Sequence, residues 1–290
     1  MKQIIIVADS TADVPKAIVE EYGIHIVPMR LAFGEETFIE GIDITVEEFY
    51  DRLSKSRDLP TTSQTSPSQY VEVYRNLMQQ YPGSPIISLH ISSGMSGTYQ
   101  SALLAKSMIE EEHEADADIT VIDSLCATYG FGLQVVLAAR MAKAGASVEE
   151  IKAEVDRVGK ARQLYFLVDV LEYLQKGGRI GKAAAILGTL LNIKPILSVD
   201  DEGVIYAVDK VRGHKKAVSR VIELFKNDYK DQKDINIAVC DCVNPEGAEE
   251  ILRLMGEHFT IHEVVRTSIG AVVGTHVGPG TVATFIWPAE

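Results

Sequence analysis

The chain has 290 residues, 46% hydrophobic and 24% charged, a globular composition long enough for more than one core. Its formal net charge of -13 repels a phosphate backbone, so nucleic acid is not an expected partner. No apolar stretch reaches the length of a membrane span, and Cys126, Cys240 and Cys242 supply no disulfide framework, so a cytoplasmic protein without stable membrane insertion is expected.

Ile4 to Ala8 is a continuous apolar run that predicts a buried strand, ended by Asp9-Ser10-Thr11. A helix is predicted from about Val14 to Tyr22, with Pro15 in its first turn and Gly23 at its end, followed by a short strand over Ile24 to Pro28. Thr45-Val46-Glu47-Glu48 reads as a capping box opening a helix through Leu53. After the polar stretch Pro60 to Thr65, Ser66-Pro67-Ser68-Gln69 opens another, with Ser66 as cap. Strands over Pro85 to Ile91 and Ile119 to Ile122 each lead into a helix: Thr98 to Glu111 after the turn Ser92 to Gly97, and a second reaching about Ala144 after Asp123-Ser124. This alternation predicts a mostly parallel sheet flanked by helices, with ligands beyond the carboxyl ends of the strands. Three loops at that end, Asp9-Ser10-Thr11, Ser92-Ser93 and Asp123-Ser124, repeat the same short hydroxyl chemistry.

Ser147-Val148-Glu149-Glu150 opens a further helix, and the domain boundary is expected near residue 155, giving an N-terminal α/β domain over 1–154 and a C-terminal α/β domain over 155–290. In the second half Leu164 to Val168 reads as a strand, and Leu171 to Lys176 and Lys182 to Leu191 read as helices around Gly177-Gly178, which serves as a helix end or as the hinge of a lid. Lys194 to Val199 and Val204 to Val211 form an antiparallel hairpin. Two helix–strand units, a glycine-rich stretch and a strand over Val282 to Trp287 complete a mixed or antiparallel sheet.

Cys240-Asp241-Cys242, with His258 and His262, invites a metal reading, but one residue separates the cysteines where zinc sites use two to four. The alternation over Ile235 to Cys240 predicts a buried strand instead, and no metal is expected. Gly94-Met95-Ser96 begins like a nucleophile elbow, yet Thr98 stands where the closing glycine belongs, and there is no Walker A run, so no catalytic residue is assigned. The basic run Lys210, Arg212, His214, Lys215 and Lys216 has two readings: a solvated strand end, or a patch that docks a partner through Arg212 and Lys215.

Four segments together resemble the DegV family in order and spacing: Thr61-Thr62-Ser63-Gln64-Thr65-Ser66-Pro67, Ser92-Ser93-Gly94-Met95-Ser96-Gly97-Thr98, Leu171 to Gly181, and Gly274-Thr275-His276-Val277-Gly278-Pro279-Gly280. Asp9-Ser10-Thr11-Ala12-Asp13 fits too, and the resemblance spans essentially the whole chain. It implies a two-domain α/β protein that holds one long-chain fatty acid between its domains. It also implies a non-catalytic role as the lipid-binding subunit of a fatty acid kinase, whose separate ATP-using chain forms an acyl phosphate for phospholipid synthesis. By matching motif, carboxylate contacts fall on Thr62, Ser93 and His276, with Ser63, Gly94 and Ser96 beside them. No cofactor is implied besides the fatty acid as ligand. Thr65 departs from the proline of many relatives. Alternatives are a lipid-responsive sensor and an esterase-type hydrolase.

Taken singly, Thr62 and Ser93 are ordinary cap or turn hydroxyls, and the apolar run Ala183 to Leu191 is as much a core helix as a tunnel wall. Together they suit the ligand. Hydroxyls and the amides after Ser93 can replace the water lost by a buried carboxylate. Each buried methylene contributes about 0.8 kcal/mol, so some 16 carbons offer on the order of 12 kcal/mol gross against about 1 for a hydrogen bond. The head group therefore orients and the tail binds.

Overall fold

The computed structural model describes residues 3–112, 117–188 and 193–289. It divides into two compact units, Met1–Thr45 with Pro60–Lys160, and Val46–Leu59 with Ala161–Glu290. A single cut at 154/155 differs from this twice: the hand-over lies at Lys160/Ala161, and Val46–Leu59 groups with the second half of the chain. The reason is contact, invisible to sequence order, and Tyr50 supplies part of it by donating its hydroxyl to Ile269 O at 3.0 Å.

In chain order the elements up to the hand-over are β1 (Ile5–Asp9), α1 (Lys16–Tyr22), β2 (His25–Val27), β3 (Arg30–Phe33), β4 (Glu36–Ile39), α2 (Val46–Lys55), β5 (Thr61–Ser63), α3 (Pro67–Gln80), β6 (Ile86–His90), α4 (Thr98–Glu111), β7 (Ile119–Asp123), α5 (Tyr129–Lys143) and α6 (Val148–Ala161). β2-β1-β6-β7 form a parallel four-stranded sheet. Every residue of β1 and β6 is buried, as strands covered on both faces must be. Strand order runs outward from β1 to β2 on one side and from β6 to β7 on the other, so the carboxyl ends of β1 and β6 flank the point of reversal where α/β sheets bind ligands. One core, built on Val7, Tyr70, Tyr74, Ala105 and Ile109 among others, fills the space between this sheet, α3 and α4.

A second, three-stranded antiparallel sheet, β4-β3-β5, was not expected from the sequence. Its strands are three or four residues long and carry Arg30, Glu36 and the polar Thr61-Thr62-Ser63, so no apolar alternation announces them. Pairing of Thr62 with Leu31 turns the polar stretch into an ordered edge.

The remaining elements are β8 (Gln163–Leu167), α7 (Glu172–Lys176), β9 (Ile193–Val199), β10 (Ile205–Arg212), α8 (His214–Asp228), β11 (Asp234–Asp241), α9 (Pro245–Gly256), β12 (Thr260–Ser268), α10 (Ala271–Val277) and β13 (Val282–Pro288). The mixed sheet β10-β9-β8-β13-β11-β12 is antiparallel except where β11 meets β12. Its core takes Ile196, Ile235 and Ile286 from strands, and Val221, Phe225, Ile251 and Met255 from α8 and α9.

Two expectations change here. Gly181–Ile186 is a 3-10 helix rather than the start of an α-helix, ending where Leu187 turns extended; Thr189 to Leu191 lie outside the described residues. The glycine-rich stretch contains α10, with Gly274 inside it, and only Gly278 and Gly280 adopt positive φ, at 77° and 83°. Among the described residues no helix is long and apolar enough to cross a membrane. Cys240 is fully buried on β11, Cys242 is buried just after it, and His262 pairs with Asp234 at 2.7 Å.

Candidate functional site

Unit one brings two of the polar segments together. Gln64 lies over Gly97 so closely that a Cβ there would collide with its amide, and Gln64 Nε2 donates to Ser101 Oγ at 3.2 Å on α4. Glycine at 97 thus answers a close approach that seats the Thr61 to Thr65 segment on the Ser92 to Gly97 turn. The segment leads into α3 through a complete capping box, Ser66 accepting from Gln69 N and the Gln69 side chain accepting from Ser66 N.

The turn itself is self-satisfied. Ser93 N donates to both Asp123 oxygens, at 3.2 and 3.3 Å, Gly94 N to Ser92 Oγ at 3.1 Å, and Met95 N and Ser96 N to Ser92 O at 3.0 Å. The Ser96 hydroxyl pairs with Thr98 Oγ1 at 2.8 Å. The amides of Gly94 and Ser96 that the sequence offered to an anion are therefore already used inside the turn. The half-buried Ser93 hydroxyl is different, because it makes no hydrogen bond among the described residues. Thr62 is also half-buried, while Ser63 is exposed.

Asp123 went unassigned from sequence, although it ends β7 in one of the three hydroxyl loops. It holds Ser93 and Leu125 by their amides and, after burial, pushes the Tyr99 phenol upward.

Unit two assembles the other motifs. α7 ends in a Schellman motif: Arg179 N donates to Leu174 O at 2.9 Å, Gly178 N to Gln175 O at 3.1 Å, and Gly178 takes φ 72°. This decides the Gly177-Gly178 pair as a helix end. Gly177 has φ -72° and needs no glycine for its backbone; its reason is His276, whose Nδ1 a Cβ at 177 would strike. Cβ atoms at Gly278 and Gly280 would strike Tyr173 and Asp169, and Asp169 is held by Lys194 at 3.0 Å. The Leu171 to Gly181 and Gly274 to Gly280 motifs are therefore one packed assembly. Behind it, a Cβ on Gly274 would meet the Tyr50 hydroxyl of α2.

Burial first, and the neighbouring Arg179 guanidinium second, bring the His276 imidazole down to about 4, so it is neutral at pH 7. His276 thus presents an uncharged imidazole, and the nearby fixed positive charge belongs to Arg179, which the sequence reading left without a role.

Arg212 and Lys215 are both exposed, at the end of β10 and the start of α8.

The family model described as "Uncharacterised protein, DegV family" matches residues 3–289. Protein DegV of Bacillus subtilis (strain 168) is 38% identical over 280 residues, covering 96% of this chain and 97% of its own length. A structure described as fatty acid binding of a DegV family protein from Thermus thermophilus superposes with a TM-score of 0.90 at 32% identity, covering 99% of this chain and 100% of that one. That of DegV, a fatty acid binding protein from Bacillus subtilis, gives 0.87 at 36% identity with both chains fully covered. A stearic acid-binding protein from Eubacterium ventriosum gives 0.87 at 30%, covering 99% of this chain and 98% of its own.

Proposed function

The chain belongs to the DegV family, and from that premise we propose that it binds one long-chain fatty acid and presents the carboxylate to a separate ATP-using kinase chain for acyl-phosphate formation. The observation that carries the binding half is whole-length likeness, at 32% and 36% identity, to proteins described as binding fatty acids. The local chemistry supports it. Thr62 and Ser93 of the first unit and His276 of the second are uncharged donors at neutral pH, which suits a head group that must be held in place and still react. Arg179 adds the positive charge that favours an ionised acid.

The kinase half has its support in the basic run. Lys215 and Lys216 stand in the first turn of α8, where the helix dipole disfavours cations by a few tenths of a kcal/mol or more each. Bases kept there against local stability, on a chain of net charge -13, suit an acidic partner surface.

An esterase reading finds little support. His90, 2.9 Å from Ser88, is sealed with it at 0% exposure, and the Ser93 amide is held by Asp123. The binding proposal is tested by mass spectrometry of protein purified from cells under native conditions, then by titration of the delipidated chain with palmitate. A retained acyl chain and saturable uptake of one palmitate are expected. Protein that carries no lipid and takes none up refutes the reading.

A further inference from the structure

Beneath the hydroxyl turn lies a polar chain that the proposed function leaves unused. Asp9, Ser88 and His90 are each 0% exposed on the otherwise apolar strands β1 and β6. Tyr74 on α3 donates to Ser88 Oγ at 2.9 Å, and Ser88 Oγ lies 2.9 Å from His90 Nε2. His90 Nδ1 lies 3.4 Å from Asp9 Oδ2 and 3.3 Å from the Tyr70 hydroxyl. Asp9 also accepts from Thr11 N, the Thr11 hydroxyl and, at 2.9 Å, Ile91 N.

The proton count gives the chain a direction. The Asp9 carboxylate oxygens accept, which places the shared proton on His90 Nδ1; Ser88 already accepts from Tyr74, which leaves its own proton for Nε2. A satisfied buried chain of this kind rigidifies the groups it joins.

What it fixes is the head-group end of the first unit. Asp9 closes β1 and holds the Ser10-Thr11 loop. Tyr70 lies against Thr65, the buried residue of the Thr61 to Thr65 segment. His90 O accepts from Ser124 N at 3.0 Å, and the next amide, Ile91 N, is the one clamped by Asp9. The imidazole thus touches the groups that hold two of these loops, Asp9 and Tyr70, while the His90 carbonyl ties in the Ser124 loop, two residues before Ser92 and three before Ser93.

We propose that His90, held between Ser88 and Asp9, is a positioning residue that sets the height of the Ile91-Ser92-Ser93 backbone and so aims the Ser93 hydroxyl at the fatty acid carboxylate. This rests on the fatty-acid reading above and is separable from it. The test compares affinities of the delipidated full chain for palmitate and for methyl palmitate. If the unaltered protein binds neither, or does not prefer the acid, the fatty-acid reading itself fails.

Given that preference, His90→Leu should reduce it about five- to tenfold, one hydrogen bond's worth, with methyl palmitate affinity changed less than about twofold. His90→Asn, whose amide nitrogen can replace Nδ1 as donor to Asp9, should restore most of it. Equal weakening of both ligands without rescue by asparagine would mean a purely structural role and overturn the proposal. Should His90→Leu fail to fold, Ser88→Ala decides. Loss of acid preference with an unchanged near-ultraviolet dichroism spectrum supports the proposal, and full retention overturns it. Nitrogen-15 resonances of the unaltered imidazole should report a proton on Nδ1, and a proton on Nε2 alone would overturn the assignment.

Discussion

His276 links the chemistry of one side chain to the stability of the fold. Its folded-state value lies near 4 against 6.5 for a free imidazole, so between those pH values the unfolded chain holds more protons than the folded one. Stability therefore falls as pH drops from about 6.5 towards 4, by no more than about 3 kcal/mol from this group. Urea titrations at pH 7.5 and 5 should show about 2 kcal/mol of that loss, and His276→Gln should remove most of the difference; an unchanged pH dependence would mean that the imidazole is not held neutral by its surroundings. The two hydroxyls act on binding instead. Thr62→Ala or Ser93→Ala should each weaken palmitate about five- to tenfold and leave clear binding, because the tail supplies on the order of 12 kcal/mol gross against about 1 per hydrogen bond. Abolition of uptake by either single change in calorimetry would reverse that division of labour.

At the scale of elements, two adjacent glycines separate backbone need from space. Gly178 has φ 72° with nothing near its missing side chain, whereas Gly177 has an ordinary φ and His276 against it. Gly178→Ala should therefore cost about 1–2 kcal/mol and leave the His276 resonances in place. Gly177→Ala, which helix propensity alone would favour, should destabilise by about 1–3 kcal/mol through overpacking and shift those resonances. Heteronuclear spectra of the two variants distinguish the cases, and an unmoved His276 in Gly177→Ala would sink the account of that motif. The same contrast explains what was legible in the sequence. α4 was readable to the residue and α3 through its Ser66 capping box, because both signals are local. β3, β4 and β5 are too short and polar to show a period. α10 was hidden by glycines that exist for Tyr50, Tyr173 and Asp169, contacts far away in the chain. Thr62 and His276 were picked out only by motif resemblance, whereas Ser93 also stood in a hydroxyl loop at a strand end. His90 escaped because a histidine inside a buried strand looks the same whether it fills space or holds a loop.

Across the whole molecule the balance is acidic, so a compact basic run stands out as a local reversal of the field. Lys210, Arg212, His214, Lys215 and Lys216 are all exposed, and Arg212, Lys215 and Lys216 form no ion pair among the described residues, unlike Arg220 nearby, which is bound to Asp209 and Glu223. Charges that stabilise a fold are usually paired; these bases face solvent at a helix start that disfavours them, which suits the proposed attraction of an acidic partner. Reversing them should then separate the two halves of the proposed function. Arg212→Glu with Lys215→Glu should leave palmitate affinity and thermal stability essentially unchanged, since neither side chain is buried and cations leave the N-terminus of α8. Acyl-phosphate formation with a fatty acid kinase chain should fall about tenfold or more at low ionic strength, mainly through the encounter rate. Because the Debye length shortens from about 10 Å at 0.1 M salt to about 3 Å at 1 M, the gap between variant and unaltered protein should narrow as salt is added. Equal turnover at low salt would return the patch to a solvated surface and leave the kinase proposal without support from this chain's residues.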